Sequence, residues 1–273
     1  FSTYNQKATS ADKRWWLLLQ FSSLVSELRP ELVTMENVPP LADQEVFKKF
    51  VKNLAKNGYS ISYQIVNCAD YGVPQHRHRL VLVASRFGPI SLLSPLEFGK
   101  RRLTVREAIG NLPPLNAGTD HPQDPLHRCS ALSEINMRRI QASKPGGTWR
   151  DWPEELVASC HKRESGKTYP SVYGRMTWDD PAPTVTTQFF GFGNGRFGHP
   201  EQNRAISLRE GAILQSFPSN YQFLASGEQI CQKSIGRLIG NAVHVTLGEL
   251  IGASFLAHIS RPSKNTARPS NDR

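Results

Sequence analysis

Two short motifs carry charged side chains where a ligand could meet them. Glu36-Asn37-Val38 directly follows Leu32-Val33-Thr34-Met35, an apolar run typical of a short buried strand. A carboxylate at the carboxyl end of a sheet strand lies where open α/β folds bind their ligands. It could act there as a general acid or share a proton with a bound base, or it could be a turn or helix-cap residue without chemical function.

The second motif is Gln75-His76-Arg77-His78-Arg79, which precedes an apolar strand-like run at 80–84. In an extended segment, alternation places its glutamine and both arginines on one side and its two histidines on the other. An arginine aimed into a pocket can hydrogen-bond the carbonyl of a bound base or hold a neighbouring loop. The histidines have no third ligand nearby, so we expect no metal site.

Two glycine-containing segments are weaker signals. The segment 193–198, Gly-Asn-Gly-Arg-Phe-Gly, matches the G-x-G-x-x-G pattern, but His199-Pro200 follows it where a phosphate-binding loop needs a helix. Its Arg196 therefore belongs either to a surface turn or to a loop that faces DNA. Gly240-Asn241-Ala242-Val243 combines a glycine that permits close backbone approach with an amide that suits a small polar ligand, although alone it usually marks a turn and helix cap.

The amino-acid composition indicates which classes of partner the protein could bind. The 273 residues hold 33 Lys+Arg against 23 Asp+Glu, a formal net charge of +10, which favours a polyanion such as nucleic acid unless the charge serves only solubility. No apolar run approaches the ~20 residues of a membrane span, and the first residues do not resemble a secretory signal. The four cysteines are far apart, which argues against disulfides and zinc and predicts a reducing, cytoplasmic location.

The elements that must position these motifs follow from apolar periodicity. A helix is expected over 12–29, ended by Pro30, and a second one from Asp43, a plausible N-cap, to Gly58. Strands are expected at 61–65 and 80–84. The order helix, strand, helix, strand, loop, strand predicts an α/β layer structure with a largely parallel sheet.

The chain is expected to hold two domains. Pro, Gly and charged residues dominate from 88 to 203, which predicts a smaller loop-rich domain with a short helix at the capping box Thr104–Glu107. Regular patterns return at 204–260, with a second capping box at Ser207–Glu210 and a last helix over 243–259. The α/β domain would thus comprise 1–87 and 204–260, followed by a polar tail at 261–273.

In this order and spacing, the segments closely resemble the C-terminal two-thirds of cytosine-C5 DNA methyltransferases. The resemblance rests on five stretches: Phe1-Ser2 with the polar loop after it, similar to the stretch just after the Pro-Cys catalytic loop of the family; Glu36-Asn37-Val38; Gln75-x-Arg77-x-Arg79; Arg209-Glu210 through Gln215-Ser216-Phe217-Pro218, then Tyr221-x-Phe223; and Gly240-Asn241-Ala242-Val243. It spans nearly the whole chain. It implies a partial Rossmann-like methyltransferase sheet, with the target-recognition region of the family at 88–203.

The resemblance also implies duplex DNA as substrate and S-adenosylmethionine as cofactor. Glu36 would hydrogen-bond N3 and the amino group of a flipped-out cytosine, Arg79 would contact its O2, and Arg77 would brace the pocket. Asn241 and Ala242 would contact the cofactor. The implied DNA-binding residues are Ser2, Tyr4 and Arg14 in a loop that closes on DNA, Thr186 and Thr187 as a looser match, and Arg196 and Arg209.

One part of the family pattern is missing. In the family mechanism a cysteine thiolate adds to C6 of the base and activates C5 for methyl transfer. The Pro-Pro-Cys-Gln motif that carries it is not in this sequence, nor is the glycine-rich cofactor motif, and no cysteine present matches by context. We therefore expect no methyl transfer by this chain alone.

Three interpretations stay open: a fragment of a normal enzyme, the smaller partner of a split methyltransferase whose N-terminal chain complements it, or a non-catalytic DNA-binding remnant. Each predicts a protein of the prokaryotic cytosol or nucleoid, with no membrane and no metal.

Overall fold

The structure is a computed structural model that describes residues 15–167, 170–225 and 228–260. Ser2, Tyr4, Arg14 and the tail at 261–273 lie outside the described residues. The described chain forms two compact units. Unit 1 contains the residues up to Val66, His78–Gly99 and those from Gly248 onward, and unit 2 contains Asn67–Arg77 and Lys100–Leu247.

Unit 1 is built from helices and one sheet. Its elements are α1 (Trp15–Leu28), β1 (Leu32–Asn37), α2 (Glu45–Lys56), β2 (Ser60–Asn67, whose last residue enters unit 2), β3 (His78–Ser85) and α3 (Pro95–Phe98). Helix α1 ends just before Pro30, as predicted, because proline cannot continue a helix. Helix α2 buries Phe47, Phe50 and Leu54 against the core, but its N-cap is Gln44 and not the predicted Asp43.

The sheet has the strand order β1-β3-β2. Strands β1 and β3 pair antiparallel, from Leu32 opposite Ser85 to Asn37 opposite Leu80, so the prediction of a largely parallel sheet is wrong for this pair. Parallel neighbours need a crossover of a dozen or more residues, usually a helix. Only 68–77 connect β2 to β3, without an α-helix, and the Cys68 N–H donates to the Arg77 carbonyl (2.9 Å), so the chain turns back on itself.

Unit 2 consists of short elements joined by loops. They are α4 (Val105–Ile109), β4 (Asp120–His121), β5 (Asp124–Arg128), α5 (Glu134–Ala142), α6 (Ser159–Lys162), α7 (Glu164–Lys167), α8 (Leu208–Leu214) and α9 (Gln232–Asn241). The predicted capping boxes at Thr104–Glu107 and Ser207–Glu210 are confirmed at the starts of α4 and α8.

One hydrophobic core joins both halves of unit 2. Ile109 and Leu126 from the predicted recognition region pack in the same cluster as Leu208 and Ile235 from the segment after residue 204. No boundary between the two units therefore coincides with the predicted one at 203/204, and residues 204–247 fold with the loop-rich segment.

The last helix, α10 (Val245–Ile259), starts in unit 2 and continues into unit 1. Together with α9 it forms the one stretch of the described chain that is long and apolar enough to cross a membrane. The stretch is interrupted, because Ala242 is extended (φ −62°, ψ 145°). Within unit 1, Ser254 Oγ accepts from the Leu93 N–H (3.0 Å) and His258 Nε2 lies 2.7 Å from Ser85 Oγ, contacts typical of a helix packed in a folded domain.

Candidate functional site

Glu36 and Arg79 form an ion pair in unit 1. Glu36 lies near the end of β1 and Arg79 near the start of β3, and the antiparallel register brings these two ends together. Arg79 Nε lies 2.6 Å from Glu36 Oε1, with side chains only 14% and 19% exposed. The pair sets a carboxylate acceptor beside guanidinium donors at the edge of solvent, an arrangement that suits a small planar ligand with both donors and acceptors.

Arg77, two residues before Arg79, is buried in unit 2 and bonds to backbone. Its side chain is 7% exposed, and its guanidinium donates to the carbonyls of Val185 (2.9 Å) and Gly240 (3.2 Å). It therefore joins the segment before Thr186-Thr187 to the segment before Asn241-Ala242. Arg77 therefore acts as a clamp: its two hydrogen bonds hold two predicted ligand-binding segments together.

Gln75 and Gln215 extend this clamp. The Gln75 side chain accepts from the Val185 N–H (2.9 Å) and donates to Gln215 Oε1 (3.1 Å). Gln215 donates in turn to the Ile239 carbonyl (2.6 Å) at the end of α9, and both glutamines are fully buried. The sequence assigned neither glutamine a role, because their partners, backbone groups and each other's side chains, lie more than 20 residues away.

Gly240 brings α9 onto the threonine segment. A Cβ at position 240 would lie 2.4 Å from the Thr186 carbonyl oxygen and 2.6 Å from the Thr187 nitrogen, so only glycine fits there. Thr186 and Thr187 are half-buried, whereas Asn241 is exposed and Ala242 half-buried. The predicted cofactor-binding and DNA-binding segments are thus in direct contact within unit 2.

A buried charge cluster supports the start of α8. Arg204 donates to both carboxylate oxygens of Glu210 (2.7 Å each), and Glu210 also accepts from the Ser207 N–H. Burial opposes ionisation of Glu210, but the bonds and charge of Arg204 hold its pKa below the usual value. Burial lowers the pKa of His199 to about 4, so His199 is neutral at pH 7.

The two arginines predicted to bind DNA, Arg209 and Arg196, differ in their hydrogen bonding and exposure. Arg209 pairs with Asp124 through Nε (2.6 Å) and Nη2 (3.0 Å) and donates to the Ser219 carbonyl, so its guanidinium already serves the fold. Burial opposes ionisation of Asp124, but its hydrogen bonds to Arg209 keep its pKa below the usual value. Arg196 is exposed.

Arg175 is a buried, extensively hydrogen-bonded residue of unit 2 that no sequence motif indicated. Its buried guanidinium donates to the carbonyls of Ile140, Ser143, His199 and Gln202, and to the side chain of Asn203. Burial lowers the pKa of the Arg175 guanidinium. Its hydrogen bonds hold several loops of unit 2 together. An isolated arginine in a loop-rich stretch carries no periodic or motif signal that would have revealed this.

Comparison with known proteins agrees with the motifs. The chain is 52% identical over 258 residues to the type II methylase M.HgiDII of Herpetosiphon aurantiacus, covering 93% of this chain and 72% of the relative. It is 32% identical to the type II methyltransferase M1.BsuMI of Bacillus subtilis, covering 92% of this chain but 57% of the relative. The chain thus spans between about half and three-quarters of these relatives.

The fold has counterparts among solved structures. A DNA modification methyltransferase encoded within an E. coli prophage superposes with a TM-score of 0.65 at 22% identity, over 91% of this chain and 75% of that one. The Entamoeba histolytica methyltransferase EhMeth superposes with a TM-score of 0.59 at 15% identity, over 91% of this chain and 70% of that one. These likenesses show the fold: a mixed α/β, partial Rossmann-like methyltransferase fold.

A sequence profile supplies the family. The profile of the C-5 cytosine-specific DNA methylases matches residues 1–257, which is nearly the whole chain. With the motifs around Glu36, Arg77 and Gly240 in the expected order, the chain belongs to the C-5 cytosine-specific DNA methylase family.

Proposed function

We propose that this chain supplies the base-binding and DNA-binding parts of a DNA (cytosine-5-)-methyltransferase that acts on a cytosine flipped out of duplex DNA. The observation that carries the proposal is the Glu36–Arg79 pair, in which a carboxylate and a guanidinium lie 2.6 Å apart at neighbouring strand ends. The family of the chain makes cytosine the expected planar ligand.

The chemistry of the pair matches the edge of cytosine. A carboxylate can accept from the exocyclic amino group and share a proton with N3, while the guanidinium of Arg79 donates to O2. When a nucleophile adds to C6, negative charge develops towards N3, and a proton donated to N3 by the Glu36 carboxyl would neutralise it there. The base must leave the helical stack for these groups to reach it.

The cofactor would meet residues at the C-terminal end of α9 and directly after it. Asn241 offers an exposed amide, and Val243 beside it is 50% exposed, so polar and apolar surface lie together, which fits a ligand with a polar amino-acid end and an aromatic base. When bound, S-adenosylmethionine supplies the electrophilic methyl group. Asn241 and Ala242 would hold and orient it, and the Gly240 contact would keep them next to Thr186-Thr187.

DNA contacts are proposed for unit 2 and for the start of the sequence. Thr186, Thr187 and the exposed Arg196 would contact the duplex, and Ser2, Tyr4 and Arg14 stay proposals from the resemblance alone. Arg209 would act indirectly, since Asp124 and Ser219 occupy its donors.

We propose that the nucleophile is not one of the four cysteines in these 273 residues. Cys68 and Cys129 are buried and Cys160 and Cys231 are exposed, but none lies in a Pro-Pro-Cys-Gln context. We propose that a further polypeptide segment, in the same or a complementing chain, provides the cysteine and most of the cofactor site. Exposed leucines on α1 in unit 1 support this, because apolar helix faces are normally covered.

Labelled methyl transfer to duplex DNA tests the proposal. The purified chain alone should transfer no methyl group. Mixed with a polypeptide that carries the glycine-rich and Pro-Pro-Cys-Gln motifs of the family, it should become active, and Glu36→Ala should reduce that activity about 100-fold or more.

Two outcomes separate the alternatives. Glu27→Ala, which removes an exposed carboxylate from the same unit, should leave activity unchanged. Transfer by the chain alone, above a Glu36→Ala control, contradicts the need for a second segment. DNA binding without transfer in the mixture favours the non-catalytic remnant.

A further inference from the structure

Helix α9 carries two glycines, Gly236 and Gly240, one turn apart on the same face. A Cβ at Gly236 would lie 2.3 Å from Cε1 of Phe190, and one at Gly240 would lie 2.4 Å from the Thr186 carbonyl oxygen. Real Cβ atoms do not come that close. The backbone of α9 therefore lies directly against residues 186–190, which include the threonines proposed to contact DNA.

A neighbouring face of α9 carries positive charge. Lys233, Arg237 and Asn241 follow one another at intervals of four, so they lie on one side of the helix, and all three are exposed. Successive members are about 6 Å apart along the axis. The helix, Gln-Lys-Ser-Ile-Gly-Arg-Leu-Ile-Gly-Asn, contains no acidic residue.

These two cations differ from several other arginines of unit 2. Five of those arginines pair with carboxylates: Arg101 with Glu107, Arg102 with Asp70, Arg106 with Asp179, Arg128 with Asp120 and Arg209 with Asp124. In the part of the chain that the structure describes, no ion pair involves Lys233 or Arg237. Their charges are thus available to an external anion.

We propose that Lys233 and Arg237 bind backbone phosphates of the duplex beside the Thr186-Thr187 contact. The inference rests on the proposed function, because it assumes that the threonine segment meets DNA. Phosphate is the anion that a DNA-binding surface meets first, and phosphate contacts from Lys and Arg set the register of a protein on its duplex without reading sequence. The glycine contacts of α9 hold these cations close to the threonine segment.

The salt dependence of DNA binding tests this proposal. Affinity of the purified chain for a fluorescent duplex is measured over a series of salt concentrations for wild type, Lys233→Gln, Arg237→Gln and the double variant. Each single substitution should reduce the slope of log K against log salt by about 1, and the double by about 2, because each phosphate contact releases about one counterion. The loss should be the same for unrelated DNA sequences.

A matched control distinguishes a direct phosphate contact from a general effect of the protein's net charge. Lys49→Gln and Lys52→Gln remove the same charge from exposed positions on α2 in unit 1, and should leave the slope unchanged. An unchanged slope in the double α9 variant, or an equal fall in the α2 controls, overturns the proposal. If the wild-type chain binds no duplex, the proposed DNA-binding function itself is overturned. That result differs from DNA binding that does not depend on Lys233 and Arg237, which overturns only the present proposal.

Discussion

At the scale of single residues, the two arginines of the Gln-x-Arg-x-Arg motif do different work. Arg79 pairs with a carboxylate at 2.6 Å near solvent, where a ligand can compete for its donors. Arg77 is buried and bonds to the carbonyls of Val185 and Gly240. One arginine is therefore suited to binding and the other to positioning, although alternation along an extended segment predicts that both lie on the same side.

Replacing Arg77 should cost stability. Arg77→Met keeps the length of the side chain but leaves the Val185 and Gly240 carbonyls without this donor, so the free energy of unfolding should fall by about 2–4 kcal/mol. Urea unfolding followed by circular dichroism measures it. Arg237→Met, at an exposed position, should change it by less than about 0.5 kcal/mol. Equal effects of the two substitutions would contradict the clamp.

At the scale of elements, the position of α9 depends on its glycines. Helix α9 lies on the threonine segment through Gly240, while the glycines of α10 at 248 and 252 have no atom within 4 Å of where a Cβ would stand. Glycine is thus required for close packing in α9, whereas in α10 it only makes the helix backbone more flexible.

The two helices allow a paired test of Gly→Ala. Gly240→Ala should lower the free energy of unfolding by about 1–3 kcal/mol, because the new Cβ overlaps the Thr186 peptide, and it should weaken DNA binding. Gly248→Ala should raise the free energy of unfolding by about 0.5–1 kcal/mol through helix propensity. Thermal or urea unfolding compares them, and a neutral Gly240→Ala would show that α9 is not held by close contact.

At the scale of the whole molecule, unit 1 leaves apolar surface uncovered. Helix α1 packs Val25 into the core, but on an adjacent face exposes Leu17, Leu24 and Leu28, the last at 72%. These three recur at intervals of seven and four, so they form one stripe. Strand β1 is moreover at the edge of the sheet among the described strands, and an open edge can pair with another chain.

This surface should make the isolated chain self-associate. Replacing Leu24 and Leu28 by lysine should shift the chain towards monomer in light scattering at increasing concentration, with the melting temperature unchanged. Val25→Lys, on the buried side, should lower the melting temperature sharply. A similar fall for the leucine variant would show instead that the stripe is part of the folded core of unit 1.

The sequence by itself determined the family, the order of the motifs, the C-terminal end of α1 and the capping boxes of α4 and α8. Each of these features depends on short motifs whose residues are only a few positions apart, so local chemistry specifies it. It also identified Glu36 and Arg79 as candidates, because their motifs are contiguous.

Only the tertiary structure decided which groups meet. The antiparallel pairing of β1 with β3 places Glu36 beside Arg79, Arg209 is held by a carboxylate 85 positions earlier, and Gln75 meets Gln215 across 140 positions. Burial and backbone partners turn Arg77, Gln215 and Gly240 into positioning residues. These contacts form between distant segments when the core closes, so no local pattern encodes them.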